Sequence, residues 1–194
     1  ENPERFRSHP KTLCLDVFLY HISIQETISR CIMRLMRYDP FQEKSIAAIE
    51  AGKSVLVSAP TGAGKTAIAE YAIEKALARS ERVIYTAPIK ALSNQKYRDF
   101  SLRYPGQVGL LTGDVSLDAG APLVIMTTEI YRNRLFEDPA QLQNTSWVIF
   151  DEVHYLDDAE RGTVWEESLL FTPKEIKILA LSATIPNVQE LADW

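Results

Sequence analysis

The chain has 194 residues, of which 46% are hydrophobic and 24% are charged, and it contains 8 glycines and 10 prolines. This composition suits one globular domain with an ordinary core and excludes a collagen-like or low-complexity chain. The net charge of −5 excludes an overall positive field, so any nucleic-acid site must be local. The longest apolar stretch, residues 13–22, is too short for the roughly 20 residues of a membrane span, and we expect no membrane partner.

The first 37 residues form an N-terminal extension to which we attach no role. They contain no apolar segment that ends in a small-residue cleavage site, so we expect no secretory signal. Cys14 and Cys31 are the two cysteines, and their spacing fits neither a disulfide framework nor a zinc site, which favours a reducing, intracellular compartment. A capping-box spacing and helical apolar periodicity predict an amphipathic helix over residues 24–37.

From residue 38 onward, short apolar runs alternate with segments of helical period. Asp39 and Pro40, with Gln42 three residues after Asp39, predict the start of a helix that ends near Gly52. The apolar runs lie at residues 54–57, 83–85, 123–126, 147–150 and 176–181, with residues 108–111 as a further strand candidate, and helical periods cover 67–78 and 90–100. Continuous apolar strands separated by helices predict an α/β fold with a parallel sheet covered by helices on both faces.

Each main strand is followed by a cluster of polar residues. The clusters lie at residues 59–66, 86–88, 127–129, 151–154 and 182–184. In open α/β sheets the ligand crevice lies outside the carboxyl ends of the strands. We therefore expect all five clusters to share one edge of the molecule.

The first cluster has the sequence pattern of a phosphate-binding loop between a strand and a helix. It consists of Ala59, Pro60, Thr61, Gly62, Ala63, Gly64, Lys65 and Thr66. The glycines let backbone N–H groups close around phosphate, Lys65 reaches the β- and γ-phosphates, and the Thr66 hydroxyl is a ligand for Mg²⁺. The pattern predicts an ATP site, although Ala59 stands where the general pattern has glycine.

Asp151 and Glu152 follow the apolar run 147–150, which is the expected position of a Walker-B pair. In that interpretation Asp151 holds the metal, while Glu152 orients and deprotonates the attacking water. Adjacent acids at a strand end are also common as solvated charge. The phosphate-binding loop in the same chain favours the catalytic interpretation.

Together these motifs resemble a known enzyme family. Residues 59–66, 151–154 and 182–184 resemble motifs I, II and III of a superfamily-two helicase of the DExH type. The segments 88–95, 112–114, 127–129 and 161–167 resemble the Ski-like branch, which includes exosome-associated RNA helicases and bacterial and plastid relatives. The resemblance covers residues 38–194 and implies a RecA-like P-loop NTPase domain, the first of two, that uses ATP and Mg²⁺ to move along RNA.

The resemblance also implies where single-stranded RNA is held. The residues matching the family's nucleic-acid contacts are Pro88, Lys90, Asn94, Gln95, Thr112, Gly113, Thr128 and Glu129. Hydroxyls, backbone N–H groups and helix N-termini grip phosphates without reading bases. Helix capping is an alternative role for Thr128 and Glu129, and Lys90 is equally consistent with a solvated surface lysine.

Further residues carry roles that the family implies. Gln42 resembles the glutamine that recognises adenine, although Asp39 and Gln42 also have the spacing of a capping box. His154, Ser182 and Thr184 resemble the elements that couple hydrolysis to RNA grip across two RecA-like domains.

The sequence ends at Trp194, soon after motif III, so we expect the second RecA-like domain and its arginine finger to lie outside these residues. The resemblance also implies an RNA-decay or RNA-processing complex as a partner. Two other functions remain open, namely a DNA helicase of the same branch and a nucleotide-binding interaction module that does not hydrolyse ATP.

Overall fold

The computed structural model describes residues 38–157 and 162–184. The chain divides between Asp39 and Pro40, and all elements discussed below belong to the unit Pro40–Trp194. The helix predicted over residues 24–37 lies outside the described residues. No helix in the described ranges combines the length and apolar character needed to cross a bilayer.

The elements alternate between helix and strand along most of the described chain. The helices are α1 Pro40–Glu50, α2 Lys65–Ala78, α3 Lys90–Arg103, α4 Thr128–Glu137 and α5 Gly162–Leu170. The strands are β1 Val55–Ser58, β2 Arg82–Ala87, β3 Val108–Leu111, β4 Ser116–Leu117, β5 Leu123–Thr127, β6 Thr145–Asp151 and β7 Lys177–Ser182. Two 3₁₀ helices, Pro139–Leu142 and Val153–Asp157, flank β6.

The strands form one sheet in the order β1-β7-β6-β2-β5-β3-β4. Every pairing is parallel except the short hairpin between β3 and β4. The predicted parallel sheet is therefore confirmed. Because β1, β2, β5, β6 and β7 run in one direction, the five polar clusters that follow them meet at one edge of the sheet.

A separate apolar core covers each face of the sheet. Side chains alternate between faces along a strand, so in β2 Val83 and Tyr85 face one core and Ile84 faces the other. Helices α1, α2 and α3 pack on the Tyr85 face, whereas α4 and α5 pack on the Ile84 face. The predicted cover of helices on both faces is also confirmed.

Candidate nucleotide and nucleic-acid site

The loop between β1 and α2 has the conformation of a phosphate cradle. Gly62 and Gly64 have φ angles of 84° and 85°, a left-handed backbone that glycine adopts without steric cost. Helix α2 begins at Lys65, so its unpaired N–H groups and positive dipole end lie directly after the loop. This geometry suits a bound anion.

The Lys65 side chain folds back over the loop that precedes it. Its Nζ donates hydrogen bonds to the carbonyl oxygens of Ala59 at 2.7 Å and Pro60 at 3.1 Å. The ammonium group therefore lies against the loop as a point charge available to phosphate. Thr66, the predicted magnesium ligand, is exposed in the first turn of α2.

Gln42 reaches the phosphate-binding loop from α1. It is only 7% exposed, and its Nε2 donates a hydrogen bond to the Gly64 carbonyl oxygen at 3.0 Å. The φ angle of Gly64 favours glycine, and a Cβ on residue 64 would lie 2.7 Å from that Nε2 and displace the Gln42 amide. The predicted adenine-reading residue is thus attached to the loop.

Asp151 ends β6 and is tightly held by two residues that sequence reasoning missed. The Tyr85 hydroxyl donates a hydrogen bond to Asp151 Oδ2 at 2.5 Å, and Lys96 Nζ lies 3.4 Å from the same oxygen. Burial, followed by the charges of Asp151 and Glu152, raises the pKa of Tyr85 well above its usual value. A tyrosine in a buried strand resembles a core residue, so only its lone hydroxyl, which needs a partner, pointed to this contact.

Glu152 follows Asp151 with φ of 61°, which is uncommon for a residue other than glycine. Its carbonyl oxygen accepts a hydrogen bond from the Tyr155 N–H at 3.1 Å. His154 Nδ1 lies 3.3 Å from Glu152 Oε2, which is close enough for an ion pair when the imidazole is protonated. The structure thus brings His154, a predicted coupling residue, to the predicted general base.

The phosphate-binding loop is joined directly to the end of β7. The Ala59 N–H donates to the Ser182 carbonyl oxygen at 3.2 Å, and Ser58 Oγ donates to the Ala183 carbonyl oxygen at 3.2 Å. Ser182 is fully buried, and its Oγ has no hydrogen-bond partner among the residues that the structure describes. Thr184 is exposed.

Four of the eight predicted nucleic-acid residues line one cavity of about 420 Å³. These are Pro88, Lys90, Gly113 and Glu129, and they are joined there by Ile89, Thr127, Ile130 and Asn133. The remaining four, Asn94, Gln95, Thr112 and Thr128, are not among its lining residues. The cavity lies where the segments after β2, β3 and β5 meet.

The predicted contacts outside this cavity differ in exposure. Asn94 and Gln95 are exposed on α3. Thr112 and Thr128 are only 7% and 2% exposed, and their hydroxyls donate to Asp114 Oδ1 and the Ala87 carbonyl oxygen. The N-cap of α4 is Thr127, without a side-chain cap hydrogen bond, so capping does not account for Thr128.

Lys90 forms an exposed ion pair with Asp114. Its Nζ lies 2.8 Å from Asp114 Oδ1. The hydrogen bond from Lys90, together with one from Thr112, lowers the pKa of the Asp114 carboxyl group. An exposed pair of this kind contributes little to stability, so Lys90 can exchange Asp114 for another anion at small cost.

The donor set at this edge suits Mg²⁺ that is shared with a nucleotide. Within residues 38–157 and 162–184, no group of three or more His, Cys, Asp or Glu side chains could hold a metal unaided. Mg²⁺ is commonly bound through one or two carboxylates together with substrate phosphates. Asp151 and the Thr66 hydroxyl fit that partial set, and a phosphate held by the loop would complete it.

Comparisons with known proteins agree with this geometry. A family model described as DEAD/DEAH box helicase matches residues 39–191. The chain is 53% identical over 156 residues to ATP-dependent RNA helicase mtr4 of Schizosaccharomyces pombe, and 54% identical over 156 residues to human Superkiller complex protein 2. These matches cover 80% of this chain but 14% and 12% of the two relatives, so the chain spans about one seventh of their length.

A solved structure shares the fold at low sequence identity. The crystal structure of DUF1998 helicase MrfA bound to DNA and AMPPNP matches with a TM-score of 0.66 and 18% identity, covering 79% of this chain and 25% of that chain. At this identity the match concerns the fold alone. The predicted RecA-like fold class is confirmed.

Proposed function

The chain belongs to the DEAD/DEAH box helicase family, and from that premise we propose that it is the ATP-binding, first RecA-like domain of an ATP-dependent RNA helicase. In this proposal residues 38–194 form the domain and residues 1–37 are an extension. The observation that carries the proposal is the loop 59–66, with Lys65 folded over it and tied to β7 at Ser182. Asp151 stands on β6, the strand next to β7.

The chain's own residues supply the binding and proton-transfer groups. When bound, ATP supplies the phosphoryl group that is cleaved, and Mg²⁺ neutralises its charge. The backbone N–H groups of Thr61, Gly62 and Gly64 and the ammonium of Lys65 would hold phosphate oxygens, while Thr66 and Asp151 would hold the metal. Glu152 accepts the proton of the attacking water.

Gln42, His154 and the motif III residues are proposed to extend the site beyond the phosphates. The Gln42 amide would recognise the adenine edge while its hydrogen bond to Gly64 keeps it next to the loop. His154, Ser182 and Thr184 would relay the nucleotide state to a second RecA-like domain of the same protein. The bond from Ala59 to Ser182 supports this role, because it links the loop to motif III without an intermediate residue.

We propose that the domain binds single-stranded RNA through contacts to the RNA backbone. The cavity lined by Pro88, Lys90, Gly113 and Glu129 adjoins the exposed start of α3, where Asn94 and Gln95 lie. The name of one relative, an RNA helicase, supports RNA as the substrate, and that of another, a complex protein, supports a multiprotein complex as a partner. We propose that this complex acts in RNA decay or RNA processing. A DNA-translocating helicase is the second candidate, and the likeness to a DNA-bound helicase structure in fold alone does not favour it.

Strand separation with matched substrates tests the proposal. We expect the full-length protein to unwind an RNA duplex with a single-stranded RNA tail in the presence of Mg-ATP, and to act far less on the same sequence as DNA. Lys65→Ala should abolish unwinding, because it removes the charge that holds phosphate. Preferential unwinding of DNA would select the second candidate.

Calorimetric titration separates an enzyme from a nucleotide-binding module. Lys65→Ala should lose measurable Mg-ATP binding while keeping the thermal unfolding of the wild type, and Lys53→Ala, an exposed lysine before β1, should bind normally. Unchanged affinity in a folded Lys65 variant would refute the phosphate-binding loop. ATP binding without any turnover in the full-length protein would instead support the interaction module.

A further inference from the structure

Two side chains outside the predicted motifs converge on the carboxylate of Asp151. Tyr85 comes from β2, and Lys96 comes from the middle of α3. The Tyr85 hydroxyl lies 2.5 Å from Asp151 Oδ2, and Lys96 Nζ lies 3.4 Å from it. Both contacts therefore fall on one oxygen, Oδ2.

The three groups form one cluster rather than two separate pairs. Lys96 Nζ also lies over the Tyr85 ring, 5.5 Å from its centroid. The Lys96 and Asp151 side chains are only 17% and 13% exposed, and Tyr85 is fully buried. With little water available, the hydroxyl and the ammonium group are the main partners of Oδ2.

The Tyr85 hydroxyl is held in place by the sheet. Tyr85 is paired with Ile149 on β6, two residues before Asp151. Its ring packs edge-on against Phe100, with centroids 5.3 Å apart. A tyrosine has only two side-chain torsions, so strand pairing and ring packing together define where the hydroxyl lies.

We propose that Tyr85 and Lys96 are positioning residues that fix the Asp151 carboxylate through Oδ2 and keep Oδ1 available to the metal. The proposal rests on the ATP-binding function proposed above, since it assigns no contact between Tyr85 or Lys96 and nucleotide. A carboxylate free to rotate about its last torsion presents either oxygen. A carboxylate held through Oδ2 presents Oδ1 in a single orientation. Residues that hydrogen-bond to metal ligands commonly fix the orientation of those ligands in this way.

Lys96 adds a second effect, because Asp151 and Glu152 place two adjacent acids at the end of β6. Its positive charge offsets part of their repulsion and the cost of burying Asp151. Lys96 directly follows the predicted RNA contacts Asn94 and Gln95 on α3. The same helix thus carries both the predicted RNA contacts and a contact to the metal-binding carboxylate.

Removal of the Tyr85 hydroxyl tests the proposal in the full-length protein. We measure the binding of a fluorescent ADP derivative as Mg²⁺ is titrated, which does not depend on turnover. Tyr85→Phe should raise the half-saturating Mg²⁺ concentration about tenfold or more, while binding without Mg²⁺ stays unchanged. The matched control is Tyr131→Phe, because Tyr131 is equally buried and its hydroxyl bonds Thr172 Oγ1 at 2.8 Å in the other core.

Thermal unfolding separates positioning from a general structural role. Both tyrosine variants lose one buried hydroxyl, so both should lower the unfolding midpoint, but only Tyr85→Phe should change the Mg²⁺ requirement. An unaltered Mg²⁺ titration in folded Tyr85→Phe overturns the proposal. An equal change in Tyr131→Phe would also overturn it, by showing that any loss of core packing has this effect.

Because Tyr85 and Lys96 contact the same oxygen of Asp151, their effects on hydrolysis should not be independent. Lys96→Met keeps the length of the side chain and removes its charge, and it should lower kcat for ATP hydrolysis. Combined with Tyr85→Phe it should cost less than the product of the two single losses, because groups that act through one partner are not additive. Losses that multiply fully would show that the two residues act separately and would overturn the common mechanism.

Asp151→Asn distinguishes failure of this proposal from failure of the proposed function. If Asp151 holds the metal, that variant must raise the Mg²⁺ requirement at least as much as Tyr85→Phe does. A wild-type titration in Asp151→Asn would remove Asp151 from the metal site altogether. A shift in Asp151→Asn with none in Tyr85→Phe would keep the metal site and reject only the positioning role.

Discussion

Glu152 combines an unusual backbone with the position expected of a general base. A non-glycine residue at φ of 61° costs on the order of 1–3 kcal/mol, and such residues cluster at active sites. The hydrogen bond from Tyr155 to its carbonyl holds the conformation. Ser80, Asp118 and Asn144 also have positive φ angles, so the backbone of Glu152 motivates a test of its predicted role and does not establish it.

Glu152→Gln tests that role. In the full-length protein we expect ATP affinity to stay within about twofold, while kcat falls by about 100-fold or more, because the amide cannot accept the proton of water. Calorimetry and phosphate release measure the two quantities. Glu175→Gln, at an exposed position before β7, is the control, and wild-type turnover in Glu152→Gln would remove this residue from the mechanism.

A substitution at Ser182 tests two quantities separately, the stability of the fold and the coupling of ATP hydrolysis to RNA. Ser182 Oγ is fully buried without a partner in the described part of the chain, so Ser182→Ala removes an unsatisfied polar group and should leave the free energy of unfolding unchanged or raise it by up to about 1 kcal/mol. RNA-stimulated hydrolysis should nevertheless fall. Denaturant unfolding and phosphate release with RNA are the measurements, and a variant that is destabilised and fully stimulated would contradict both statements.

At this scale the sequence predicts functional residues only where their chemistry is local to a motif. Lys65, Asp151 and Glu152 stand in contiguous patterns whose spacing has few other uses. Tyr85 and Lys96 were missed, since their proposed role arises from contacts across 66 and 55 residues of sequence. Only strand pairing and the packing of α3 create such contacts.

At the scale of single elements, the hairpin of β3 and β4 depends on one glycine. A Cβ on Gly109 would lie 2.0 Å from the Asp118 carbonyl oxygen and 3.0 Å from that of Leu117. Those are backbone atoms, so they cannot rotate away as a side chain could. The strands must separate if residue 109 carries any side chain.

Gly109→Ala should therefore lower the free energy of unfolding by about 1–3 kcal/mol, the usual cost of overpacking. The control is Gly120→Ala, whose new Cβ would meet nothing closer than Asp118 Oδ1 at 3.9 Å, and whose effect should stay within about 0.5 kcal/mol. Chemical denaturation measures both. Equal stability of the two variants would mean that the hairpin adjusts freely.

Apolar runs predicted the existence of the strands better than their ends. Residues 83–85 were expected as a strand, whereas β2 extends from Arg82 to Ala87, because backbone pairing continues through the polar residue Thr86. Similarly β6 begins at Thr145. The two-residue strand β4 and both 3₁₀ helices were not predicted, since segments this short carry no periodicity.

At the scale of the whole molecule, ATP binding and ATP hydrolysis should be separable. A polypeptide limited to these 194 residues holds the loop, Asp151 and Glu152, but no predicted arginine finger. We expect it to bind ATP more weakly than the full-length protein and to hydrolyse it near the blank rate with no stimulation by RNA. A phosphate-release assay with Lys65→Ala as the contamination control checks this, and robust RNA-stimulated turnover would contradict the two-domain mechanism.

The negative net charge of the same polypeptide predicts how strongly it binds RNA. With a net charge of −5 and a local cavity beside Lys90, binding should be weak, indifferent to base sequence and reduced by salt. Fluorescence anisotropy against salt concentration measures this. A strong sequence preference would contradict recognition through the backbone.

The strand order has a consequence for how the domain is made. Among the described strands, β1 pairs with β7 alone, so Val55 must find Leu179 across 124 residues of sequence. Contacts of such separation form slowly, and during synthesis β1 leaves the ribosome long before its partner exists. The phosphate-binding loop precedes Ser182 by more than 100 residues, so it acquires its support there only after the intervening strands and helices have emerged.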